Sequence, residues 1–237
     1  MPPATPEPAA GPRPAGFWQR SAAWSLDAAL LALPAWWLAA PARRHGLHAF
    51  DQVADILAAA TADAMRQVAD GAPPLQAALA LAADPAFARA TALLHAALFD
   101  LLATPLLAFV ALAFAWHVGF EASAWRGSPG KRALGLRVQD AHGRPLGLAG
   151  AALRFVAGTA SWLSLNLGHA MAAIPPRHLA LHDRLSGTRV LARTGVLPAW
   201  AKAWLVLQAL ALLAGCAWLA ASLQAALQAA LDGSLGV

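Results

Sequence analysis

Arg20 and Asp27 are the only formal charges in FWQRSAAWSLDAALLALPAWWLAA, residues 17–40, and they stand seven positions apart. On an α-helix that spacing puts both on one face with Asp27 about 10 Å deeper, too far for a direct pair. Arg20 can snorkel to the headgroups, whereas Asp27 is too short and needs a partner or a proton. Arg154, some two turns into a later apolar run, is the best-placed cation. Two readings stay open: an Asp27 to Arg154 salt bridge that locks a helical bundle, or a carboxylate that carries a proton or an ion.

Asp100, in HAALFDLLATPLLAF, is a second carboxylate among apolar residues. It lies sixteen positions before Trp116, about 24 Å along a helix, so it belongs to the outer half of a span. The separation of Asp27 from Asp100 speaks against one shared metal site. A water-linked series of Asp100, Asp27 and Arg20 or Asp183 is the path by which a proton or cation could move. His95 is five residues from Asp100, on another face, and reads as a solvated interfacial residue. His169, on a Gly-containing turn, either joins the path or makes an ordinary hydrogen bond. Asp183 either pairs with Arg20 or organises the Ser186-Gly187-Thr188 turn.

None of this is a catalytic constellation. The chain has no Ser-His-Asp spacing, H-E-x-x-H, EF-hand loop or dinucleotide fingerprint, and Gly127 to Lys131 lacks the spacing and the following Ser/Thr of a phosphate loop. The single Cys216 excludes an intrachain disulfide and a Cys-based zinc site. No enzyme activity, metal or cofactor is expected.

The elements that must position these residues are those of a membrane protein. Of 237 residues 59% are hydrophobic and 12% charged, about half the usual charge of a soluble domain, and the mean hydropathy is +0.53. Ten Trp beside no Tyr suit a bilayer, where indoles settle at the headgroup boundary. The net charge of +5 then reports topology rather than nucleic-acid binding.

The expected architecture is all-α and polytopic: three full transmembrane helices plus a re-entrant or fourth apolar helix, with a short cytoplasmic hairpin. Residues 1–16 read as a flexible Pro/Ala tail. Residues 17–193 form the membrane domain, with 41–84 as an extracytoplasmic excursion of two helices, about His48 to Ala69 and Leu75 to Ala83, separated by Gly71-Ala72-Pro73-Pro74. Asp84-Pro85 reads as N-cap and first residue of a long helix that Pro105 should kink. A hairpin is expected from Ala133 to Gln139 and the Asp140-Ala141-His142-Gly143 turn. Residues 194–237 form a last transmembrane helix.

Charge bias assigns Gly119 to Gly147, with Arg126, Lys131, Arg132, Arg137 and Arg144, to the cytoplasm. It assigns Pro175 to Pro198, with Arg177, Arg184, Arg189 and Arg193, to the same side, as it does the amino terminus. The apolar run between them must then re-enter, with Asn166 and Gly168 as break points; four full crossings are the alternative.

Three separated motifs, Arg20 and Asp27 in FWQRSAAWSLDAALL, GKRALGLRVQDAHGRPL, and LHDRLSGTRVL with Asp183, resemble in kind and order the RDD family of membrane proteins. The resemblance covers residues 16 to about 193 and leaves out 41–84 and the last helix. It implies a small multi-pass protein of the cell membrane, the bacterial inner membrane, with transport proposed and cation/proton antiport suggested for some relatives. Two functions stay open. One is movement of a cation or proton past intramembrane carboxylates, in a homo-oligomer because so few helices enclose little volume. The other is a non-catalytic adaptor or assembly partner for another membrane protein, in which Arg20, Asp27 and Asp183 are structural.

Overall fold

The computed structural model describes residues 11–235, so the tail before Gly11 lies outside the described residues. The rest of the expected tail is built into the fold. Arg13–Pro14 form a short strand, β1, and Ala15 is fully buried; Pro is tolerated there because β1 is an edge strand.

Helix α1 (Phe17–Leu38) turns by 62° into α2 (Ala40–Ala69). Pro73 and Pro74 end one helical path and start the next, α3 (Pro74–Ala83). Asp84 caps α4 (Pro85–Leu98) as its sequence predicts, its carboxylate accepting the Ala86 N–H at 2.7 Å. The disturbance expected at Pro105 takes the form of a π turn, Phe99–Ala103, between α4 and α5 (Thr104–Ala122). A proline ring collides with the carbonyl four residues earlier, and a wider turn gives that carbonyl room.

The chain divides into two compact units. In the unit Ala28–Trp116, α2 packs along α4 and the π turn. Gly46 sits where the helices come closest: a Cβ there would lie 2.9 Å from the Leu101 side chain and 3.1 Å from the Ala97 carbonyl. The segment 41–84 is therefore a packed helical element, longer at its start than its periodicity suggests, because Ala40 to Leu47 continue the helix.

The other unit joins the residues up to Asp27 with those from His117 onward. It contains α6 (Pro129–Ala133), β2 (Leu136–Asp140), α7 (Leu148–Leu163), α8 (Leu167–Ala170), α9 (Leu181–Ser186), β3 (Thr188–Ala192) and α10 (Ala199–Leu235). The expected hairpin is not formed. Asp140 still organises its turn, accepting the N–H groups of His142 and Arg144. The partner of β2, however, is β3, antiparallel from Leu136 opposite Ala192 to Asp140 opposite Thr188, and β1 completes a sheet of order β1-β3-β2. Leu136, Val138 and Val190 pack beneath it with Ala22, Ala23 and Ala201.

Leu165 and Asn166 take left-handed φ of 52° and 66°, and α7 and the α8 segment meet at 112°. Gly168 lets the return leg close, since a Cβ there would lie 2.6 Å from the Ser161 hydroxyl. This run leaves just after β2 and returns just before β3, which are hydrogen-bonded neighbours. Pro85–Ala122 and Ala199–Ala226 are long and apolar enough to cross a membrane, and the count rises to four if each bent pair, α1 with α2 and α7 with α8, is one span. The fold is all-α and membrane-like, with a small sheet.

Candidate functional site

The charged residues of the sheet-containing unit converge on one network. Arg20, in the first turns of α1, is tied down rather than snorkelling: its Nη1 meets Asp183 Oδ2 at 2.5 Å, Nη2 donates to the His178 carbonyl at 2.7 Å and Nε to the Ala15 carbonyl at 2.9 Å. The expected Arg20 to Asp183 pair is present. Asp183 is nearly fully buried, and instead of organising the Ser186-Gly187-Thr188 turn it starts α9, accepting the Ala180 N–H at 2.9 Å.

Arg154 does not pair with Asp27. It lies between two other carboxylates, with Nη1 on Asp183 Oδ1 and Nε 3.2 Å from Glu121 Oε2. Nη1 also donates to the Thr188 hydroxyl at 2.5 Å. Glu121 in turn accepts from Lys131 Nζ at 2.9 Å. Lys131 reaches the Ser128 hydroxyl at 3.4 Å, and that hydroxyl donates its one hydrogen to Asp27 Oδ2. The Gly130 N–H donates to Asp27 Oδ1 at 2.8 Å. Asp27 is thus held by the Gly-rich loop, and only Gly fits there: a Cβ at Gly130 would lie 2.1 Å from the Ala23 carbonyl.

The sum is three cations, Arg20, Lys131 and Arg154, interleaved with three carboxylates, Asp27, Glu121 and Asp183. All three carboxylates are buried. Burial alone would raise the Asp183 pKa, but Arg154 and Arg20 outweigh it and hold the group well below the usual carboxylate range. His182 Nε2 faces the Arg154 guanidinium at 3.1 Å. A guanidinium only donates, so Nε2 accepts and Nδ1 carries the hydrogen toward Ser161. Burial first and Arg154 second push the His182 pKa down to about 3, so this histidine is neutral.

His169 packs against His182 with ring centroids 5.2 Å apart and the rings tilted by 54°, and meets Trp162 edge-on. Its Nδ1 is buried without a hydrogen-bond partner among the described residues, so that atom does not make the expected hydrogen bond. Asp100 belongs to the other unit, on the π turn, where His45 Nδ1 lies 2.6 Å away. Its partner is therefore a residue of α2. Among the described residues no cluster of three or more His, Cys, Asp or Glu is placed to hold a metal ion.

Glu121, Ser128 and His182 complete the network without having been singled out in the sequence, together with Lys131 and Thr188, which the sequence offers only as a loop charge and a turn residue. Glu121 and Lys131 look like ordinary helix-end and loop charges, and only a fold that brings residues 121, 154 and 183 together reveals them. A model of the RDD family matches residues 14–187. No curated protein and no solved structure matches this chain.

Proposed function

The chain belongs to the RDD family, and on that premise we propose that it is a non-enzymatic membrane adaptor whose Arg/Asp motif is a lock, not an ion path. The observation that carries this reading is the buried series Arg20, Asp183, Arg154, Glu121 and Lys131, which the Ser128 hydroxyl extends to Asp27. A path needs a carboxylate that exchanges its proton or ion with water. Here both oxygens of Asp183 and both of Asp27 accept from protein donors. A network without net charge also has no field to draw a cation inward.

In this reading the protein sits in the cell membrane, bacterial and inner, with its amino terminus and the two Arg-rich segments cytoplasmic. The α7–α8 pair re-enters, because it leaves from and returns to one sheet. The exposed length of α10 meets lipid and offers a side for a second copy or another membrane protein. Purified protein in vesicles loaded with pH and cation dyes should leak no faster than protein-free vesicles. Flux above that level, abolished by Asp27→Asn in a folded protein, overturns the lock.

One observation favours the second reading, proton or cation transport. Asp100 lies on a π turn inside a candidate span, paired to a histidine whose side chain is 72% exposed, and π turns recur at functional sites. Flux that is lost in Asp100→Asn and kept in Asp27→Asn would support that reading over the first.

A further inference from the structure

Side chains alternate along a strand, so the sheet that buries Leu136, Val138 and Val190 on one face turns Arg137, Gln139 and Leu191 to the other. Arg193, one residue past β3, continues that alternation and is exposed. Together with Arg126 these residues line a groove of about 340 Å³. Arg126 is held there in an unfavourable backbone conformation, φ 53°. Its N–H donates to the Ser123 carbonyl and its carbonyl accepts the Val138 N–H at 2.7 Å. Gly135 takes a left-handed φ of 67° beside Arg193; a Cβ there would lie 3.5 Å from the Arg193 side chain.

Arg126, Arg137 and Arg193 enter none of the ion pairs among the described residues. Three arginines that line one groove with no ion pair among the described residues repel one another, and an anion bound there relieves that repulsion. Their place in the chain says where that anion comes from. Arg126 follows the end of α5 by four residues, and Arg193 precedes α10 by six. Exposed Trp125 and Trp200 mark the same helix ends and exposed Trp18 the start of α1, and indoles settle at the headgroup level.

We infer that this groove binds the phosphodiester of an anionic phospholipid headgroup. Guanidinium forks match phosphate oxygens in pairs, and the Gln139 amide adds a neutral donor. A zwitterionic headgroup brings its own cation against the third arginine, so the site selects lipids of net negative charge. The assignment does not depend on whether the protein is an adaptor or a transporter.

The test uses the full chain in nanodiscs of phosphatidylcholine with added phosphatidylglycerol, reading retained lipid by native mass spectrometry. The wild type should retain phosphatidylglycerol over phosphatidylcholine. Arg137→Gln with Arg193→Gln should lower that affinity about 30-fold, two surface arginines' worth. Arg132→Gln with Arg184→Gln, which removes exposed arginines elsewhere, should leave it unchanged. Should the first double variant fail to fold, Arg137→Lys with Arg193→Lys keeps the charge without the fork and should show a smaller loss. Equal retention by wild type and either groove variant, or no preference between the two lipids, overturns the site. Displacement of phosphatidylglycerol by millimolar inorganic phosphate reassigns the groove to a soluble anion and overturns the lipid.

Discussion

The two units treat their charges in opposite ways. In the unit that contains the sheet, Asp183 has a fully buried side chain and is contacted by Arg20, Arg154 and a backbone N–H. In the unit Ala28–Trp116, Asp100 pairs with His45, most of whose side chain is open. Charges removed from solvent must be compensated inside the fold, and a missing member leaves a stranded ion. A pair whose other member is a histidine strands no obligatory ion when its acid is neutralised, because the imidazole can be neutral. Importance to the fold therefore follows burial and the number of partners, not the mere presence of an acid in an apolar helix.

The largest expected effect tests the first half of that contrast. Asp183→Asn leaves Arg154 and Arg20 facing a neutral amide and should lower unfolding stability in detergent by about 3 to 5 kcal/mol. Adding Arg20→Gln should recover part of the loss, since it restores the charge balance. A double variant no better than the single one would mean that the two side chains are not coupled.

A pH titration of stability sharpens the same contrast. His182 titrates at about 3 in the folded chain and near 6.5 when unfolded. Between those values the unfolded state holds a proton that the folded state refuses, so stability falls as pH falls, by about 1.4 kcal/mol per pH unit. Asp183, with its folded pKa depressed, adds loss of the same sign below about pH 4, where its unfolded form protonates. His182→Gln should reduce the slope by about 1.4 kcal/mol per pH unit from pH 6.5 to about 3 and leave the Asp183 contribution below about pH 4 in place. An unchanged upper slope would assign that proton to another group.

The smallest expected effect is at the exposed pair. Asp100→Asn should cost under about 1 kcal/mol by the same denaturation measurement. A loss as large as that of Asp183→Asn would break the comparison and make the π turn part of the structural core.

Local signals are legible in the sequence wherever one short segment contains its own cause. Asp84-Pro85 caps a helix, paired prolines end another, and Asn166 marks the break in the third apolar run. The Arg20 to Asp183 pair is legible too, because both sit beside the ends of apolar runs with few other partners on offer. The assignment of Arg154 to Asp27 fails for a geometric reason. Depth along a helix says which charges share a level but not which helices are neighbours, and two nearer carboxylates, Glu121 and Asp183, claim the guanidinium. Asp27 is satisfied by a loop hydroxyl and a backbone N–H, donors that carry no charge for a sequence reader to count. The β2 to β3 pairing escapes for a related reason. Strand periodicity gives a face but no partner, and the Asp140 turn offers a local partner that the fold does not use.

The strand order β1-β3-β2 also imposes a timetable. The central strand is the last of the three to be made, so neither edge strand has a partner until residue 192 has left the ribosome. Arg20 likewise waits for Asp183 while 163 further residues are added, on the order of ten seconds or more at 5 to 20 residues per second. Through that interval α1 is present with its arginine hydrated and β1 unpaired. The sheet and the ion network close together, late, in a step that joins the two ends of the matched region after most of the apolar chain has been synthesised.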